Sequence, residues 1–342
     1  MEQTRQLTWL KELCQIDGVS GGEDKVADWI VAHLPQDCTH WRDARGNLIC
    51  EKKGKQAPNK KVLFAAHMDE VGFIITYIEE SGLLRFDGVG GVDTRVVIGK
   101  QVRLESGVPG VVGAKPIHLQ SPADREAVQS YEQLYIDIGA KSREEAEKVV
   151  SLGDFGTFRT EFYQLSGSRV ASKALDDRSG CVLLLELLHK QLPYDIVAVF
   201  SAQEEIGGAA GAAAFAVQPD IAIAVESHSA ADVPGISAAK QVCTLGKGVV
   251  LSFKDKGAIM DRELVHKAQQ ICREQNIACQ IKNQIVGAND TAGMSKAGAG
   301  CRIMTVAVPV RYVHSPMAVM DLQDMDPAEK LLEALAGSFA AL

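Results

Sequence analysis

Apolar and polar positions follow two different rhythms along this chain, and the changes between them divide it. Residues 7–13 form a short amphipathic helix, and Val26, Trp29, Ile30, Ala32 and His33 recur at roughly helical spacing before Pro35. Ser20-Gly21-Gly22-Glu23 precedes the second run in a capping-box arrangement, which predicts where that helix starts. Arg45-Gly46-Asn47 separates the strand-like Thr39-His40-Trp41 and Leu48-Ile49-Cys50, so a hairpin is predicted there. Beyond the apolar run at 62–66 the texture changes. Short strand-like pieces at 71–78, 83–87, 101–104 and 108–112 alternate with Gly-bearing turns up to about Ser166, joined by one amphipathic helix over 142–150 capped by Ser142. Near Val170 a helix–strand rhythm resumes: helix 177–190, strand 196–200, helix 209–216, strand 221–225, helix 260–276, strand 305–308 and a closing helix 327–342. The fold class that follows is α/β, interrupted by a β-rich insertion. Residues 1–70 and 167–342 form one discontinuous domain, and 71–166 the inserted one.

Composition narrows the possibilities without deciding among them. A length of 342 residues allows a substantial core, and 46% hydrophobic with 23% charged residues is ordinary for a globular protein. The net charge of −8 and the lack of long Lys or Arg runs argue against nucleic-acid and membrane partners. Residues 1–10 carry no apolar core of a signal peptide, and the longest apolar stretch, 181–188, is broken by Glu186 and too short to span a bilayer. The eight cysteines stand singly with no CxxC pair. Reduced, buried thiols in a cytoplasmic protein are expected, and a Cys-ligated zinc is not.

Five metal-capable side chains change the picture, because four of them close or follow apolar strand-like runs. His67 closes 62–66, Glu205 follows 196–200, Glu226 closes 221–225 and His314 comes after 305–308, while Asp176 sits where a loop becomes a helix. In open α/β sheets ligands bind beyond the carboxyl ends of the strands, so residues distant in sequence can meet there. Two imidazoles and three carboxylates suit zinc, cobalt or manganese. Taken singly, each signal has a plain structural explanation. His67-Met68-Asp69 is a weak motif in which Asp69 can hydrogen-bond the His67 imidazole. Asp176-Asp177 is equally an acidic helix N-terminus, with one carboxylate free to bridge cations and the other to cap. Glu204-Glu205 is either a solvated pair or a division of labour, Glu205 as ligand and Glu204 as general base over an activated water. The combination of all five points to a two-metal hydrolase.

Read together, several segments closely resemble metallopeptidase family 42, the two-metal aminopeptidases that include glutamyl and deblocking enzymes of the TET type. They are HMDEVGF (67–73), GVDTRVVIG (91–99), GVVGAKPIHL (110–119), DIGAKSREEAE (137–147), KALDDRSGC (173–181), SAQEEIGGAAGA (201–212) and RYVHSP (311–316). The resemblance implies a mixed-sheet, zinc-peptidase-like catalytic fold with an inserted small β-barrel-like dimerisation domain. It implies that Asp176 bridges two divalent metal ions, that His67 and Glu226 complete one site, and that Glu205 and His314 complete the other. Glu204 is then the general base, Asp69 supports His67, and the Asp176–Asp177 peptide bond is cis. Short peptides are the implied substrates, and homodimers assembling into a dodecamer the implied oligomer. The chain departs from the family pattern at Glu226, where Asp is usual, at Gly287-Ala288-Asn289-Asp290 near the substrate pocket, and at Val92 and Val249. Nearby His228 is an alternative ligand. The rival activity is an amidohydrolase or deacylase on the same two-metal scaffold. A glycosidase would need two separated carboxylates without metal, and here the carboxylates are spoken for. A non-catalytic binding protein fits poorly, since all ligands and the base are present.

Overall fold

The computed structural model describes residues 5–342. Two helices open it, α1 (Arg5–Gln15) and α2 (Asp24–His33), followed by β1 (Cys38–Arg42), β2 (Leu48–Lys52) and β3 (Val62–His67). Helix α1 buries Trp9, Leu10, Leu13 and Cys14, a stripe at helical spacing. Strand β3 is buried along its whole length, which is why its sequence is a continuous apolar run. The capping box expected before α2 does not form. Glu23 is the N-cap residue and makes no capping bond through its side chain. Ser20 Oγ instead donates to the buried Asp69 carboxylate at 2.6 Å, and Glu23 Oε1 accepts from the Gly21 and Gln203 N–H groups. Ser20 thus turns to Asp69 just past β3, and Glu23 to the backbone of Gly21 and Gln203.

The inserted region is a closed barrel of β4 (Gly72–Ile78), β5 (Leu84–Val89), β6 (Gln101–Leu104), β7 (Pro109–Ala114), β8 (Leu134–Asp137) and β9 (Phe155–Phe158), in the order β4-β5-β8-β7-β6-β9. Phe73 lies edge-on to Phe86 and Phe158, with centroids 5.2 and 5.0 Å away, in a core separate from that of the sheet. Two short helices, α3 (Pro122–Glu126) and α4 (Arg143–Ala146), decorate it. The helix predicted over 142–150 stops at Ala146. The β-branched Val149 and Val150 follow, and Val150 turns into the barrel core. An ionic cluster ties barrel to sheet: Asp17 accepts two bonds from Arg103 on β6 (2.6 and 2.7 Å) and one from Thr157 on β9 (2.9 Å), and Lys173 reaches both Asp17 (3.0 Å) and Glu70 (2.5 Å).

The chain then returns through β10 (Tyr163–Gln164), β11 (Arg169–Ser172), α5 (Leu175–Leu188), β12 (Ile196–Ser201), α6 (Ala210–Val217), β13 (Ile221–Ser229), β14 (Val249–Leu251), α7 (Arg262–Glu274), β15 (Cys279–Ile281), α8 (Thr291–Met294), β16 (Arg302–Arg311), β17 (Ala318–Asp321) and α9 (Met325–Ala340). Eleven strands make one mixed sheet in the order β1-β2-β12-β3-β13-β16-β17-β11-β10, with β14 and β15 attached beside β16. Its middle is parallel. Ser201 on β12 pairs with His67 on β3, and Ala224 on β13 pairs with Ala65. β3 and β12 therefore end side by side, while β13 runs on past that level to Ser229. Helix α5 is buried on nearly every side, consistent with its apolar run over 181–188, which only Glu186 interrupts.

Candidate metal centre

The strand register brings His67 and Glu226 to the same level, since Glu226 lies two residues past Ala224. Nδ1 of the buried His67 donates to the Asp69 carbonyl at 3.0 Å, leaving Nε2 toward the cavity. That Nε2 is 3.4 Å from Asp176 Oδ1 and 3.9 Å from Glu226 Oε2. On the other side His314 Nε2 is 2.9 Å from Glu205 Oε2 and 3.7 Å from Asp176 Oδ2. Asp176 thus turns one oxygen toward each imidazole. Its peptide bond to Asp177 is cis, the geometry the resemblance implied. Four residues with left-handed backbone flank or belong to these segments: Ala174, Gln203, Tyr312 and His314, with φ of 55°, 57°, 60° and 61°.

Asp69 holds more than His67. Its carboxylate lies 3.4 Å from His67 Nδ1 and also accepts from Ser20 and from the backbone N–H groups of Glu204 and Glu205, both at 3.0 Å. It therefore fixes the turn that presents both glutamates. Asp177 caps the helix as expected, accepting from the Gly180 N–H at 3.1 Å. It also does something the sequence did not signal. Its Oδ2 is buried without a partner, and its carboxylate gathers with His67 and Glu226 into a group of donor atoms within 4.8 Å of one another. His67, Asp176 and Glu205 form a second such group. His228 lines the cavity but joins neither group.

Electrostatics show what this arrangement needs. Burial pushes the carboxyls of Glu226, Asp177 and Glu205 up, and neighbouring carboxylates push the same way. Burial, reinforced by Asp290 and Glu205, takes Glu204 up to about 9. Burial works against protonation of His67 and His314, yet Asp176 and Asp69 hold His67 well above its usual range and Glu205 holds His314 at about 9. Negative charge is in excess, and Glu226 Oε1 has no partner. A donor set of two imidazoles and several carboxylates, with orphaned buried oxygens, fits divalent cations. His67, Asp176, Glu205, Glu226 and His314 line one cavity of about 800 Å³ together with Glu204, His228, Val242, Asp255, Lys282 and the 287–290 loop, which lies in its wall as expected. Asp255 and Lys282 carry no local motif and escape a sequence-only reading, and the capping motif at Ser20 gives no hint of its bond to Asp69.

Comparison with known proteins gives this geometry its context. The sequence profile described as M42 glutamyl aminopeptidase matches residues 46–331. A putative aminopeptidase of Acetivibrio thermocellus is 37% identical over 336 residues, covering 97% of this chain and 98% of that protein. Among solved structures, an aminopeptidase of the archaeon Desulfurococcus kamchatkensis superposes with a TM-score of 0.92 at 32% identity, covering 97% of this chain and 94% of that one. The TET1 peptidase of Pyrococcus horikoshii, which can assemble into a tetrahedron or a large octahedral shell, gives 0.85 at 35% identity over 97% and 99% of the two chains. The amidohydrolase alternative is not favoured by these likenesses. The chain belongs to the M42 glutamyl aminopeptidase family, and with it to the metal-dependent aminopeptidases.

Proposed function

We propose that this aminopeptidase removes N-terminal residues from short peptides, with Glu204 as general base and two divalent cations held by His67, Asp176, Glu205, Glu226 and His314. What supports the reading most is that Asp176 offers a separate oxygen to each imidazole. When bound, two such cations supply Lewis acidity and lower the pKa of a water toward neutrality. Zinc suits the mixed imidazole and carboxylate donors, and cobalt and manganese accept the same set. Burial and its acidic neighbours hold Glu204 protonated until the positive charge of bound cations would offset them. As a carboxylate it then takes the proton of the attacking water and returns it to the leaving amine. Asp69 supports this in two places, at the His67 ring and at the backbone of the glutamate turn. The longer arm of Glu226, compared with aspartate, reaches the cluster from β13.

Residues 71–166 are proposed as the dimer-forming unit, and a dodecamer built of six dimers as the assembly. Val111, Ile117, Leu119 and Val128 expose apolar surface there, as an interface requires. All eight cysteines are free, which accords with a cytoplasmic location. The test is hydrolysis of aminoacyl-p-nitroanilides with and without an N-acetyl block, after loading with zinc, cobalt or manganese. Release only from free-amine substrates is expected, and equal release from blocked ones would sink the reading. Glu204→Gln should keep both metals by mass spectrometry while losing about 10²–10⁴-fold in kcat. Normal turnover in that variant would remove Glu204 from the role.

A further inference from the structure

The cavity continues past the donor cluster to a wall whose polar groups the chemistry above leaves unused: His228, Asp255 and Lys282, beside Val242. Lys282 follows β15 and its N–H donates to the Leu251 carbonyl at 2.8 Å, which anchors it beside the end of β14. Its Nζ donates to the Val286 carbonyl at 2.7 Å. An ammonium has three N–H donors, so two remain uncommitted in a residue that lines the cavity. Asp255 is 1% exposed. Its Oδ1 accepts from the Gly257 and Ala258 N–H groups, both at 2.7 Å, while Oδ2 is buried with no partner. Nε2 of the buried His228 has none either. Lys282 and Asp255 feel each other's charge but form no ion pair.

One wall thus offers spare donors beside two unsatisfied buried acceptors, a combination that proteins seldom leave unmatched. An acidic side chain would satisfy Lys282 and oppose Asp255. A basic one would reverse the conflict, and an apolar one would leave Asp255, His228 and the two spare Lys282 donors unmatched. A carboxamide carries an acceptor oxygen and two N–H donors, which answers both kinds of group at once. Resting on the aminopeptidase reading, we propose that this wall selects substrates with an N-terminal glutamine or asparagine. The amide oxygen accepts from Lys282, and the amide N–H groups donate to Asp255 and His228.

The test uses the full-length, zinc-loaded enzyme and the p-nitroanilides of glutamine, asparagine, glutamate, lysine and leucine. Glutamine or asparagine should lead in kcat/KM. Lys282→Met should lower the glutamine-to-leucine ratio roughly 10- to 100-fold, the range for losing a hydrogen bond to a charged group. Asp255→Asn keeps an acceptor for the Gly257 and Ala258 N–H groups but removes the repulsion of a carboxylate. It should raise glutamate relative to glutamine, a gain that poor folding cannot imitate. Glutamate, lysine or leucine leading in the wild type, or ratios unmoved in both variants, would overturn the proposal while leaving the aminopeptidase intact. Cleavage of none of the five substrates would instead overturn the aminopeptidase reading, and this proposal with it.

Discussion

Replacing Lys173 by Met should expose how strongly the barrel-to-sheet junction depends on one buried ammonium. Lys173 is 2% exposed and its Nζ sits between Glu70 at 2.5 Å and Asp17 at 3.0 Å. After the change Asp17 keeps its two bonds from Arg103 and one from Thr157. Glu70 fares worse. It is 3% exposed and retains only Arg178 at 3.8 Å and the Gly18 N–H at 3.2 Å. Removing one partner of a buried pair leaves an uncompensated charge and costs about 3–5 kcal/mol. With Arg178 nearby, the lower half of that range is expected. Lys173→Met/Glu70→Gln removes the stranded charge as well and should recover much of the loss. Urea unfolding of the wild type, both single variants and the double variant, at fixed subunit concentration, gives the coupling energy as a double-mutant cycle. A loss below about 1 kcal/mol in Lys173→Met, or a double variant no more stable than the single, would refute the reasoning.

Other outcomes follow from the same structure. Burial opposes ionisation of Asp17, but Arg103 and Lys173 outweigh it and hold that carboxyl well below its usual range. A depressed folded pKa means the unfolded chain binds the proton first, so this stabilisation is complete above the ordinary carboxylate pKa and is lost as pH falls below it. Asp17→Asn should therefore flatten the acid limb of a Tm-against-pH profile, and an unchanged slope would contradict the assignment. Gly248 has φ +86°, and a Cβ there would lie 2.1 Å from the Ala278 carbonyl oxygen. Gly248→Ala should lose more than about 1 kcal/mol by urea unfolding. Chelation should lower Tm, and restoring zinc at about a hundredfold excess over Kd should raise stability by about 2.7 kcal/mol for each site filled. A Tm indifferent to metal would contradict cation binding to the folded state.

The parts of this fold that sequence made legible are those with a strong local signature. β3, β12 and β13 are apolar runs long enough to identify, and each leads to a residue of the donor cluster. The barrel strands β8 and β9 and the short β10, β14, β15 and β17 lack such a signature, because pairing with neighbours, rather than pattern, makes them strands. Ser20 shows why local motifs mislead near a site: the capping sequence is present, but a buried carboxylate competes for its hydroxyl. Asp177 read as a cap and is one, yet its carboxylate also gathers with His67 and Glu226, which only the folded chain reveals. Lys282 and Asp255 belong to the same class, ordinary residues whose significance comes from sharing one wall.

The donor cluster draws on five separated segments, the last of them beyond β16 and close to the end of the chain. A growing polypeptide therefore emerges carrying His67, then Asp176, Glu205 and Glu226, with no second imidazole to oppose the first. Parallel β3, β12, β13 and β16 must also pair across long stretches of sequence before those groups stand together. On the proposed ligand set, peptidase competence would arrive only once β16 and the His314 segment after it have joined the sheet.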